Sequence, residues 1–377
     1  MTKRSFDVEH VLMTADAVGG VWTYCLDLAR GLARHGVRVT LAVMGPEPSP
    51  RQRDEARLVP GLDLHVGPCR LEWMHEPWSD VDAAGDWLLG LAERVRPDVV
   101  HLNGFCHAAL PWSVPTMVVG HSDVLSWWQA VKGSPAPMDE WGEYARRVRE
   151  GLCAAGLVAA PTAAILNELQ RLYGPFDNGR VIHNGRNAAE FTVGAKRSIV
   201  FSAGRFWDEA KNISALQSVA PKLDWPVYVA GEVGENRPRT TGVNFLGRLC
   251  PSAIGAWMGR ASIYALPAKY EPFGLSILEA ALSGCALVVG DIPTLRELWD
   301  GAAVFVDPNR PEELFAAIDG LTRDDRRRHE MAHLATERAK EYSVAAMACG
   351  TLFAYQDLVQ TNLLDLGMFT HPGVSLR

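Results

Sequence analysis

Two glutamates stand eight residues apart in KYEPFGLSILEAALSG, residues 269–284: Glu271 beside a Phe-Gly pair and Glu279 within an otherwise apolar run. Carboxylates are seldom left in such surroundings without a partner. The pattern around them reads as a strand (SIYALPA), a turn (KYEPFG) and a short helix (LSILEAALSG) stopped by Gly284. At the start of that helix Phe273, Gly274 and Leu275 offer backbone N–H groups with no intrahelical partner, a seat for a phosphate. Glu279, one turn in, shares the face of Leu275 and Ser276. Adjacent hydroxyls of a sugar or ribose are natural donors to a carboxylate, so this turn suggests two hydroxyl clamps flanking a phosphate seat. A helix-capping acid plus a surface acid would fit the apolar context poorly.

Two further turns carry candidate groups. In AGRFWDEAKN, Arg205 at the turn and Lys211 before the next helix would suit a diphosphate, the arginine as a fork and the lysine as a point charge. Solvated surface charges are an equally good account of them in isolation. Gly19 and Gly20 follow the first strand, where glycine lets backbone approach a phosphate closely, although a tight turn alone also explains them. The GxGxxG fingerprint is missing, which weakens a nicotinamide-cofactor reading. No DxD sits at a strand end, and the His, Cys and acidic residues show no ligand spacing, so no metal and no other cofactor is expected.

The elements that must position these groups form two series. HVLMTA, the DAVGG turn, the helix VWTYCLDLARGLARHG and VRVTLAVMG make a βαβ unit, with strand-like DVVHLNG, TMVVGHSD and GLVAAPT following. A connecting segment is expected near residues 178–195. SIVFSAG, PVYVAG, VNFLG, SIYALPA and ALVVGD then alternate with helices. Such alternation predicts an α/β fold of two doubly wound parallel-sheet domains facing across a cleft, with residues 1–180 and 181–342 as the two units. The stretch from residue 324 to 360 reads as helical throughout, and residues 343–377 are expected to pack back on the first domain.

Composition agrees with this size and class. At 377 residues two domains are the natural expectation, and a net charge of −7 argues against a general nucleic-acid surface. GLCAAGLVAAPTAAIL is short for a membrane span and broken by Pro161, so a buried helix and strand are expected there and no transmembrane segment. Peripheral membrane contact remains compatible with the sequence. The seven cysteines are odd in number and never spaced as CxxC, and no signal peptide is visible, which points to the cytoplasm.

EPFGLSILEA resembles the E-x7-E signature of retaining GT-B glycosyltransferases of the family 4 type. The likeness extends through Gly19-Gly20, GHSD around His121, VIHNG, GRFWDEAKN, FLGRL and DIPTLREL followed by AAVFVDP. It implies a nucleoside-diphosphate sugar held by the second domain: Glu271 on the sugar, Glu279 on the ribose, Arg205 and Lys211 on the diphosphate. The backbone of Phe273 to Leu275 would complete the seat, Arg248 and Leu249 would border the base, and His121 would stand beside the transferred sugar. The Pro common after the second glutamate is Ala286 here, and Asp291-Ile292-Pro293-Thr294 replaces a common Gly-Gly, which bears on the sugar carried. A phosphorylase, a nucleotide-sugar hydrolase or a silent binding module are the alternatives. Eight of the twelve tryptophans precede the connecting segment. Neighbouring Trp127 and Trp128 cannot both point inward, so one of them is expected to form a platform for a saccharide or glycolipid acceptor.

Overall fold

The computed structural model describes residues 8–67, 69–232 and 242–365. The apolar runs of the first half become β1 (His10–Asp16), β2 (Arg38–Met44), β3 (Leu62–Val66), β4 (Val99–Leu102), β5 (Thr116–Val119), β6 (Leu157–Ala160) and β7 (Gly179–Val181). They pair in parallel in the order β3-β2-β1-β4-β5-β6-β7. Between them run α1 (Gly20–Ala33), α2 (Pro50–Arg57), α3 (Trp78–Val95), α4 (Val124–Lys132), α5 (Met138–Ala154) and α6 (Ala163–Tyr173).

The second half repeats the plan with β8 (Arg197–Ala203), β9 (Val227–Ala230), β10 (Val243–Gly247), β11 (Ala261–Leu266), β12 (Ala286–Gly290) and β13 (Val304–Val306). These strands are parallel in the order β10-β9-β8-β11-β12-β13. Their helices are α7 (Ile213–Val219), α8 (Pro251–Arg260), α9 (Leu275–Leu282), α10 (Pro293–Trp299), α11 (Pro311–Arg323) and α12 (Asp325–Ala339). Central strands β4, β11 and β12 are buried along their whole length, because helices cover both faces of each sheet. The result is the GT-B arrangement: two Rossmann-like domains with the carboxyl ends of their strands turned to a shared cleft.

Two local expectations are corrected. Residues 179–181, placed in the connecting segment, form β7 on the outer edge of the first sheet, where a short polar strand needs only one partner. The terminal helical stretch is also not continuous. It breaks at residues 340–343 and restarts as α13 (Val344–Asp365), where the Ser343 hydroxyl accepts from the Ala346 N–H at 3.1 Å. Helix α13 returns to the first domain, and Met347, Ala348, Ala354, Tyr355 and Leu358 join Cys25, Leu28 and Leu32 of α1 in one core. At the crossing, Gly31 lies so close that a Cβ there would stand 2.5 Å from Ala348 Cβ. Among the described residues no helix is long and apolar enough to cross a membrane.

Candidate active site

The turn after β8 is built to aim a lysine. The Asp208 carboxylate accepts from the Ala210 N–H at 3.1 Å and from Arg205 Nη2 at 3.1 Å, closing the loop on itself. Asn212, at φ 54°, donates its amide to the carbonyls of Pro267 (2.9 Å) and Pro308 (2.7 Å), tying this turn to the two beside it. Lys211 is thereby directed inward, and its Nζ donates to Glu271 Oε2 at 2.6 Å. Their side chains are only 19% and 12% exposed, so Lys211 is no solvated surface charge. Arg205 is the outer cation of the two, 40% exposed and lying over the Trp207 ring at 4.9 Å.

One oxygen of Glu271 is left open: Oε1 makes no hydrogen bond among the described residues. Its carbonyl accepts from the Thr294 hydroxyl at 2.6 Å, so one of the residues that departs from the family pattern braces this turn. Gly274 starts α9 at φ 84°, where a Cβ would come within 2.8 Å of Ile277 Cδ1, so glycine is required. Its carbonyl accepts from the N–H groups of Ile277 and Leu278, while those of Leu275 and Ser276 precede the helical ladder.

Glu279 is held differently. Its Oε1 lies 3.1 Å from Nε of Arg186, whose guanidinium also pairs with Asp27 of α1 and stands 3.5 Å from Glu190. Burial pushes the Glu279 carboxyl up to about 6, against the pull of Arg186 and with added repulsion from Asp27 and Glu190. Arg186 therefore joins the first domain, the connecting segment and α9, a role that its place after HNG in the sequence did not disclose.

The facing turns of the first domain complete the cleft. Nothing lies within 4 Å of where a Gly19 Cβ would stand, and a Gly20 Cβ would be 3.4 Å from Leu275 Cδ1, so the start of α1 meets the start of α9. His121 follows β5, its Nε2 2.7 Å from Asn103 Oδ1, and burial pulls its pKa down to about 3. Two residues on, the Asp123 N–H donates to the Tyr270 hydroxyl at 3.4 Å, and that hydroxyl lies 2.8 Å from Ser126 Oγ. Tyr270 precedes Glu271, so the histidine turn and the glutamate turn are fastened together across the cleft. Arg248, exposed, and Leu249, partly buried, lie at the end of β10.

A pocket opens at the carboxyl ends of β1 and β4, lined among others by Asp16, Arg70, Glu72, Trp73 and Asn103. Glu72 accepts from the N–H groups of Phe105 and Cys106 at 2.9–3.2 Å. Burial raises the Asp16 carboxyl, and the Arg205 charge across the cleft opposes that rise. The tryptophan on this pocket is Trp73, 43% exposed, and neither Trp127 nor Trp128 lines it. Trp128 packs on Trp141 at 6.4 Å and against the core, whereas Trp127 lies under Lys132 at 5.7 Å, whose ammonium bonds Glu209 at 2.7 Å. Among the described residues no three His, Cys, Asp or Glu side chains cluster as metal ligands.

Comparison with known proteins decides the family. Residues 18–190 match Glycosyltransferase Family 4 and residues 197–324 match Glycosyl transferases group 1, one on each sheet. The chain belongs to the family 4-type GT-B glycosyltransferases. This glycosyltransferase is 26% identical to D-inositol 3-phosphate glycosyltransferase of Corynebacterium diphtheriae over 383 aligned positions, 88% of each chain. It is 27% identical to alpha-maltose-1-phosphate synthase of Mycolicibacterium smegmatis over 293 positions, 66% of this chain and 74% of the relative. Its fold is shared with sucrose-phosphate synthase from Thermosynechococcus elongatus, with TM-score 0.75, 15% identity, and 94% and 100% of the two chains covered. It is shared too with Anabaena Alr3699/HepE solved with UDP and glucose, with TM-score 0.71, 16% identity, and 96% and 100% covered.

Proposed function

We propose that this glycosyltransferase moves a hexose-type sugar from a nucleoside diphosphate to an acceptor hydroxyl of a saccharide or glycolipid, with retention and without a metal. The observation that carries the reading is the Lys211–Glu271 pair at 2.6 Å beneath the start of α9. It sets a cation where a diphosphate would leave and an open carboxylate oxygen where sugar hydroxyls would bind. Lys211, Arg205 and the N–H groups at the α9 start then meet the leaving-group charge in a preorganised site. Phe273 and Gly274 shape that seat, Glu279 accepts from the ribose, and Arg248 with Leu249 borders the base. Retention follows when the acceptor attacks the face that the diphosphate leaves, a leaving-group oxygen taking its proton, so no protein base is required.

On this reading residues 181–342 bind the donor, residues 1–180 bind the acceptor, and the helix from 344 belongs with the first domain. The pocket of Asp16, Arg70, Glu72 and Trp73 suits the acceptor, since its polar side chains can bond a polyol and an exposed indole covers a sugar face. Seven unpaired cysteines support a cytoplasmic location.

The test is thermal stabilisation by UDP-, GDP-, ADP-, dTDP- and CMP-sugars, since a ligand at a hundred times its Kd adds about 2.7 kcal/mol. The stabilising donor is then incubated with saccharide and glycolipid acceptors in EDTA, and the anomeric configuration of the product is read by NMR. One donor should stand out and an α-donor should give an α-product. Free sugar formed at the same rate without acceptor would indicate a hydrolase, phosphate-dependent release a phosphorylase, and stabilisation by none would overturn the donor reading.

A further inference from the structure

Asn103 stands at the centre of a buried hydrogen-bond chain that reaches the cleft. Its Nδ2 lies 2.6 Å from the Thr14 carbonyl and 3.2 Å from Cys25 Sγ, and its backbone N–H donates to Thr14 Oγ1 at 2.9 Å. A carbonyl only accepts, so the amide has one orientation, with Nδ2 toward Thr14 and Oδ1 turned away. That Oδ1 faces His121 Nε2 at 2.7 Å and His101 Nε2 at 3.2 Å. An amide oxygen also only accepts, so both Nε2 atoms must carry hydrogen. His101 Nδ1 is then the acceptor of its 2.6 Å contact with the Tyr355 hydroxyl of α13. The chain runs Tyr355 to His101 to Asn103, and His121 joins it from the cleft side.

Among the described residues no group competes for the other proton arrangement of His121. The Tyr24 ring packs edge-on against it at 4.5 Å, and the Tyr24 hydroxyl lies 3.5 Å from His101 Nε2. The nearest carboxylate in sequence, Asp123, accepts from Ser126 and Tyr173 instead. His121 Nδ1 has no hydrogen-bond partner among the described residues, and the residue is only partly buried. Burial, with His101 adding a smaller effect, keeps the His121 ring neutral at ordinary pH, and burial does the same for His101, down to about 4. A neutral ring has one proton, and Asn103 claims it.

We infer that Asn103 is a positioning residue that fixes His121 as the Nε2–H tautomer, presenting the Nδ1 lone pair to the cleft as an acceptor for a hydroxyl of the bound sugar. The inference rests on the donor reading above for the identity of that guest. It makes His121 a selector for a hydroxyl-bearing position and removes it as a proton donor to the leaving diphosphate.

Long-range 15N–1H correlation spectra of histidine-labelled enzyme without donor test the tautomer, with His121→Gln assigning the signal. Wild type should show Nε2–H at His121, with no titration between about pH 5.5 and 8.5. Asn103→Leu should lose that single tautomer and lower kcat about tenfold, as expected for a misdirected hydrogen bond, while stabilisation by the nucleoside diphosphate alone is unchanged. Asn103→Asp should keep Nε2–H and bring His121 into the titrating range, because a carboxylate now faces it; should the leucine variant fail to fold, this variant and wild type decide. An Nδ1–H signal in wild type, or an unchanged tautomer in Asn103→Leu, overturns the inference. A changed tautomer with unchanged kcat also overturns it. The spectra need no donor, so they stand apart from failure of the donor reading, which the nucleotide-sugar panel reports by itself.

Discussion

Donor binding should carry an acid limb set by Glu279. Its carboxyl is pushed up to about 6 by burial, and its ionised form accepts charge-assisted bonds from ribose hydroxyls far more strongly than the neutral acid does. The sign follows: binding is present above pH 6 and is lost as pH falls through it. With that midpoint the ionised fraction is about 0.9 at pH 7 and about 0.1 at pH 5, so donor Kd should rise about tenfold, or about 1.4 kcal/mol. A nucleotide sugar suits the measurement because its diphosphate, esterified at both ends, stays ionised throughout this range. Calorimetric titration with the donor, acceptor omitted, from pH 5 to 8 gives the curve. Glu279→Gln should bind weakly at every pH with no limb. Arg186→Met, which removes the cation opposing the burial effect, should shift the limb to higher pH. A Kd constant from pH 5 to 8, or a limb that survives in Glu279→Gln, would refute the assignment.

Lys211→Ala should cut kcat by about a hundredfold or more, since it removes charge stabilisation of the leaving group; near-normal turnover with the true donor would reject the diphosphate role. Glu271→Ala should depress kcat, whereas Glu279→Ala should mainly raise donor KM, and steady-state kinetics giving the reverse split would overturn that division. Trp73→Ala should raise acceptor KM several-fold with donor affinity intact, and a larger acceptor effect from Trp127→Ala would return the platform to α4. Gly31→Val should destabilise by about 1–3 kcal/mol through overpacking against Ala348, and an unchanged melting temperature would contradict the tight α1–α13 crossing.

The sheets were legible because their strands are buried on both faces and so read as continuous apolar runs, as in HVLMTA or SIYALPA. β7 was not, since a three-residue edge strand has no such run. The break before α13 escaped notice because no Gly or Pro marks it; the signal was Ser343, a hydroxyl one residue before an apolar helix start. In the site, Glu271 and Lys211 stood out as charges at strand–helix turns, but their union spans sixty positions, which spacing alone does not express. Arg186 and Asn103 were missed for the same reason: their partners Asp27, Glu279, Thr14 and His121 come from elements far apart in the sequence. Trp73 lines the pocket beyond β1 and β4, whereas the expectation for Trp127 and Trp128 rested on a neighbour rule that says only that one ring faces outward, not what it faces.

Because α13 covers α1, the first domain is assembled from two segments more than three hundred residues apart in the sequence. On the ribosome, Cys25, Leu28 and Leu32 emerge early, but the residues that cover them, Met347 to Leu358, follow only after the whole second sheet has been made. At about 5–20 residues per second that interval is on the order of 15–65 s. Throughout it the nascent chain displays an apolar stripe on α1, which makes that stripe the natural holding site for a chaperone and a place where premature termination would leave an aggregation-prone fragment.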